Sequence, residues 1–397
     1  MEKITNQERL KPWMGVALFA VMMGLFVTVC AYMQLNWGIP GLILTELLLL
    51  GLAVLFCKIR KVKIKEVFPV KKIKAREFFG CGLLLAGVYL ISLLSVYIMM
   101  FFFPSTASET AELGSFLYGN MNYICTLLVV AFLPAICEEA FHRGAVLSSF
   151  RGVKHEWVAI IAVGLMFSIN HMSILRGPFT FIFGCALAYV VVKKNNILLS
   201  ILMHCMLNAS SVSIVFLQNQ AGEDVTSAAS TVSVSGTLLG GFMVISCIAP
   251  FLILLGITLL TSKEHIKSRA ICAGVLSAVL LVGGFACCFK YYTPARPKLL
   301  DSMYGFTVSK EGETESVDFT TTKEGDYRIY MKVSEAKGTY RMSVCDSNGN
   351  EVCGANATED APVIEMIVDL APDHYTYNII CLEDCIGESP RFTCVVQ

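Results

Sequence analysis

Apolar residues run through the first three hundred positions in blocks of about twenty, and after residue 314 the pattern changes to strict alternation. A helix crossing hydrocarbon about 30 Å thick needs about 20 apolar residues. Nine blocks reach or approach that length: 13–35, 39–57, 78–103, 120–150, 156–172, 178–193, 196–217, 237–262 and 270–292. The fourth is long and interrupted by charge; the fifth and sixth are short and joined by a tight turn. In the tail, Val317–Thr321, Tyr327–Val333, Thr339–Val344, Val363–Val368 and Tyr375–Ile380 alternate with period two, separated by turn residues such as Asp346–Asn350. The expected fold is an all-α polytopic membrane bundle of about nine transmembrane helices with a C-terminal extracytoplasmic all-β sandwich. Four regions follow: an N-terminal three-helix part at 1–119, a core at 120–217, an external loop with two further helices at 218–292, and a β-rich domain at 293–397.

Composition agrees. The chain is 55% hydrophobic, with mean hydropathy +0.64. That excludes a soluble enzyme, a disordered regulator and a nucleic-acid binder. The formal net charge of zero hides two unlike halves: residues 1–294 carry 22 Lys and Arg against 13 Asp and Glu, and residues 295–397 carry 9 against 18. The basic residues sit in alternate loops, most densely at 58–77, then at Arg151 and Lys154, Lys193 and Lys194, and Lys263, Lys267 and Arg269. The loops at 104–119 and 218–236 hold no Lys or Arg. By the positive-inside rule the N-terminus is cytoplasmic and the tail is outside. The 58–77 segment is read as a topology determinant. The first apolar block is too long for a signal-peptide core and is expected to remain as an anchor.

Five of the sixteen cysteines lie in the tail. Cys345 and Cys353 flank a hairpin turn, and an oxidising exterior would allow them to bridge. The tail shows no catalytic constellation.

Ionisable groups at membrane depth are costly and mark function by default. They form three clusters here: Glu138, Glu139, His142 and Arg143; Asn170 and His171; and His204 and Asn208. At 1.5 Å of rise per residue, Glu138 lies about 18 Å from Phe150, His171 about 21 Å from Trp157, and Asn208 about 16 Å from Ile197. Three helices therefore place polar groups in one band. Glu139 and Arg143 are i,i+4 and suited to an ion pair, while Glu138 is turned about 100° away and left to act on a water. His204 and Asn208, also i,i+4, can offer two donors to an oxyanion. This is a hydrolase layout. His142 leaves three roles open: a metal ligand, a helper of the base, or, as expected here, a partner for a carboxylate. Glu46, in the second block, reads as a lone wetted acid near the outer surface.

Other chemistries lack their residues. No Asp occurs before Asp224, so a paired-aspartate intramembrane protease cannot be built. His155-Glu156 begins a zincin-like sequence, but position 159 is Ala. No serine elbow, phosphate loop or paired CxxC is present.

Glu138-Glu139-x-x-x-Arg143, Phe167-x-x-x-His171 and His204-x-x-x-Asn208, in this order on successive helices, resemble the CPBP (Abi, or CAAX-protease-like) intramembrane protease family, which includes type II CAAX prenyl endopeptidases and bacteriocin-immunity proteins. The resemblance covers roughly residues 120–217. It implies endopeptidase activity, with Glu138 and His171 activating water, His204 and Asn208 holding the oxyanion, and Glu139 with Arg143 in support. Glu138, His171 and His204 could equally hold Zn²⁺ with an open position, or act without metal. The expected substrate is a membrane-bound or lipidated peptide or protein, and the expected surroundings are membrane lipid. The membrane would be the cell membrane in a bacterium and the endoplasmic reticulum in a eukaryote. No nucleic-acid partner is expected; the tail is free to bind an external one. A transporter using the polar cluster as a proton relay, or an immunity protein, is the alternative.

Overall fold

The computed structural model describes residues 10–103, 121–220, 234–261, 266–292 and 298–397, apart from 306, 335, 336 and 360. The loop 104–119, most of 218–236 and residue 263 of the last basic loop lie outside the described residues. Two compact units emerge, Met1–Tyr292 and Thr293–Gln397.

The first unit is helical. Its helices are α1 (Pro12–Trp37), α2 (Ile39–Arg60), the single turn α3 (Ile64–Val67), α4 (Ala75–Phe102), α5 (Tyr123–Ser149), α6 (Glu156–Asn170), α7 (Gly177–Lys194), α8 (Ile197–Gln220), α9 (Gly236–Leu260) and α10 (Ile266–Lys290). Boundaries follow local chemistry. Gly38, at φ +58°, breaks α1 from α2 two residues before Pro40. Lys58 and Arg60 close α2 where its dipole favours cations. Among the described residues eight helices are long and apolar enough to cross a membrane, and the chain is a multi-pass membrane protein. The ninth expected block is different. Helix α6 has 15 residues, about 22 Å of rise, and stops where the chain turns through His171 and Met172, the latter at φ +44°.

Helix ends that carry basic residues are tied together at one level. Lys194 pairs with Glu77 at 2.7 Å, and Lys193 pairs with Glu156. Asn196 exchanges hydrogen bonds with the backbone of Lys71 at 3.1 and 3.0 Å, and Arg151 donates to the Glu66 carbonyl at 2.7 Å. The basic 58–77 segment is thus also a structural strap. Between the helices, small residues allow close approach. A Cβ on Gly256 would stand 2.5 Å from the Leu84 backbone nitrogen, and one on Gly164 would stand 2.5 Å from Cys185 Sγ.

The second unit is a sandwich of two antiparallel four-stranded sheets, in orders β1-β8-β3-β6 and β2-β7-β4-β5. The strands are β1 (Leu300–Gly305), β2 (Thr314–Thr320), β3 (Gly325–Ser334), β4 (Thr339–Cys345), β5 (Glu351–Ala357), β6 (Val363–Leu370), β7 (His374–Glu383) and β8 (Arg391–Val396). Alternate residues from both sheets fill one core, among them Ile329, Met331, Phe392, Met342, Val344 and Tyr377. All sixteen cysteines are free thiols, so Cys345 and Cys353 do not bridge. The register gives the reason. Cys353 pairs with buried Val344 and faces the core, whereas Cys345 follows a bulge and meets Asn378 on the other face.

Candidate active site

Helix α5 is not regular. Its α-helical turn Leu133–Glu139, begun by Pro134, lies between π-helical stretches Leu127–Phe132 and Ala140–Val146. Such insertions widen the helix and frequently accompany functional sites. The Glu138–Arg143 cluster straddles the second junction.

Glu139 and Arg143 are both fully buried and joined at 2.9 Å, Arg143 Nη1 donating to Glu139 Oε1. The same oxygen accepts from His204 Nδ1 at 3.0 Å, a link that helix spacing could not reveal. Arg143 Nη2 donates to the Gly184 carbonyl at 2.9 Å, and its guanidinium lies 4.3 Å from the centroid of the Phe167 ring. That carbonyl is within reach because α6 and α7 cross at Gly164 and Gly184, where an added Cβ would press on Cys185 and Phe167. One carboxylate thereby fixes a guanidinium and an imidazole drawn from two helices.

Phe167 is the hub. Its ring makes edge contacts with His142, His171 and His204 at centroid separations of 5.2, 4.7 and 5.8 Å. Its carbonyl meets His171 Nδ1 at 2.8 Å. A carbonyl only accepts, so Nδ1 carries the proton and Nε2 keeps a lone pair. Glu138 is half-buried; its Oε2 is buried and without a hydrogen-bond partner, and its charge acts on His171 and Arg143. Asn208 Nδ2 donates to the Val130 carbonyl at 3.1 Å, which leaves one amide N–H free.

His142 is fully buried. Its Nδ1 contacts the Glu138 carbonyl at 3.1 Å rather than a carboxylate side chain, and its Nε2 is unpartnered. The expectation for Glu46 does not hold either. It is only 5% exposed, lies where α2 packs on α5, and its Oε2 is unpartnered. Among the described residues no three His, Cys, Asp or Glu side chains are grouped to hold a metal ion. Glu138, His171 and His204 therefore do not fit a Zn²⁺ site as a ligand set.

Residues 120–210 match the family described as type II CAAX prenyl endopeptidase Rce1-like. The matched segment lies in the membrane unit. At the family level, this match supports the resemblance to the CPBP family and a reading as an intramembrane CAAX-type protease. No curated protein matches the chain. Among solved structures, the pre-peptidase C-terminal domain of collagenase from Bacillus anthracis is similar at 13% identity, over 24% of this chain and 89% of that one, with a TM-score of 0.20. The Rce1-like segment takes in α5, α6, α7 and the half of α8 that carries His204 and Asn208.

Proposed function

We propose that the chain is a glutamate-type intramembrane endopeptidase that cleaves a membrane-bound or lipidated peptide. The observation that carries this reading is the free Glu138 Oε2 beside His171, whose Nδ1 is committed to Phe167 and whose Nε2 lone pair is free. Glu138 takes a proton from a water held against His171 Nε2, and the resulting hydroxyl oxygen adds to the scissile carbonyl carbon. The oxyanion that forms is held by the free N–H of Asn208 and by His204 Nε2 when that imidazole is protonated. The Glu139 carboxylate accepts from His204 Nδ1 and fixes the orientation of the ring. Glu138 then delivers its proton to the departing amide nitrogen as the C–N bond breaks. Arg143, pinned by Gly184 and Phe167, keeps Glu139 in place. Glu139, Arg143 and His204 are buried, where fixed dipoles act most strongly.

The orientation supported by the loop charges puts the N-terminus in the cytoplasm and the β-sandwich outside. The lack of a grouped ligand set favours catalysis by the chain's own groups, so activity should survive dialysis against a strong chelator. Purified protein with Glu138→Gln or His171→Ala should lose about 10²–10⁴-fold in cleavage, the usual worth of acid–base catalysis. Unchanged cleavage in both variants would end the reading, and a substrate-dependent proton current without peptide product would favour transport instead.

A further inference from the structure

Helix α2 brings a second carboxylate to the catalytic one. Glu46 is almost completely buried, and α2 packs against both the α-helical and the π-helical part of α5 around Glu138. Its position along α2, about 21 Å from Arg60, matches the depth of Glu138, about 18 Å from Phe150. The two charges act on each other, and each side chain has a buried Oε2 with no hydrogen-bond partner. Buried carboxyl oxygens without partners are expensive, and two adjacent carboxylates outside water do not both ionise. Their surroundings differ. Glu138 feels Arg143 and His171. The groups that act with Glu46 are the thiols Cys30 on α1 and Cys137 on α5, together with Glu138 itself. The cationic groups thus face Glu138, whereas Glu46 meets two thiols and Glu138 itself.

We propose that Glu46 is a protonated, neutral carboxyl that donates a hydrogen bond to Glu138 and holds it as the base. This rests on the reading of Glu138 as that base. Glu46 is a positioning residue. It keeps its proton throughout turnover, since the proton of the attacking water goes to Glu138 and leaves on the amide nitrogen. One O–H group between the two side chains would also satisfy both orphan oxygens.

The direct test is the infrared C=O stretching band of a protonated carboxyl, recorded on the full chain in detergent at neutral pH. The band should be present in the wild type, vanish in Glu46→Gln, and persist at a shifted frequency in Glu138→Gln, where the acceptor becomes an amide. A wild type without the band, or a band untouched by Glu46→Gln, overturns the proposal. Kinetics supply the second readout. Glu46→Gln keeps a neutral donor of the same shape and should retain kcat within about threefold, whereas Glu46→Ala should lower kcat at least tenfold at unchanged KM. Equal loss in both variants, so that Gln gives no rescue, overturns it too. Because the infrared band requires no substrate, it reports on Glu46 even if Glu138→Gln proves active and the protease reading fails.

Discussion

Replacing Glu139 by Ala should damage the protein more than removing any other single charge in the membrane unit. One carboxylate oxygen accepts from Arg143 at 2.9 Å and from His204 at 3.0 Å, and neither Glu139 nor Arg143 has any solvent exposure. Removing one member of a buried ion pair costs about 3–5 kcal/mol, because the charge left behind is uncompensated. Arg143 would retain its bond to Gly184 and its contact with Phe167, which places the cost at the lower end of that range, about 3 kcal/mol. Losing the His204 bond adds about 1 kcal/mol. The double replacement Glu139→Leu with Arg143→Met leaves no stranded charge, so it should cost much less than the two single changes added together. Circular dichroism during titration with SDS in mixed micelles measures Glu139→Ala, the two single replacements and the double one. Cleavage should fall in each variant that lacks Glu139, since His204 loses the group that orients it. A Glu139→Ala protein as stable as the wild type, or single costs that simply add, would refute the network.

The remaining predictions concern packing and the sandwich. Gly256→Leu should destabilise the membrane unit by about 1–3 kcal/mol or more, because even a Cβ there stands 2.5 Å from the Leu84 backbone; the same SDS titration reads this. In the sandwich, burial pushes the Cys353, Cys381 and Cys394 thiols up to about 11, so a maleimide should label them only upon unfolding, while Cys345 labels in the native protein. The Asn350 side chain and backbone hold the Asp346 carboxyl below the usual aspartate value. A lowered folded value stabilises above the unfolded pKa of about 3.9, and that contribution is lost as pH falls through the folded value. Amide protection factors across residues 345–351, corrected for intrinsic exchange, should therefore fall on acidification, and Asp346→Ala should abolish that pH dependence.

The apolar blocks made the membrane helices legible, and period-two alternation made the sandwich legible, because each pattern follows from burying one kind of surface. Strands β1, β5 and β8 were harder to read: β5 contains Gly354, Ala355 and Asn356, which have weak strand preference. The i,i+4 spacing anticipated the Glu139–Arg143 contact. It could not anticipate that His204 shares the same oxygen, since that link joins residues 65 apart. Nor could it show the π-helical turns of α5, which leave no periodic trace over six or seven residues. Glu46 misled for a related reason. Counting from a helix end gives depth but not the face that a neighbouring helix covers, and α2 buries this acid where it packs on α5.

The central claim is that Glu138 activates water against a peptide bond within the membrane. Mass spectrometry of membrane peptides from cells carrying either the wild-type chain or Glu138→Gln, at matched expression, tests it most directly. The account predicts a membrane peptide that accumulates uncut in the variant and appears as two fragments with the wild type. Identical peptide profiles in both would contradict it.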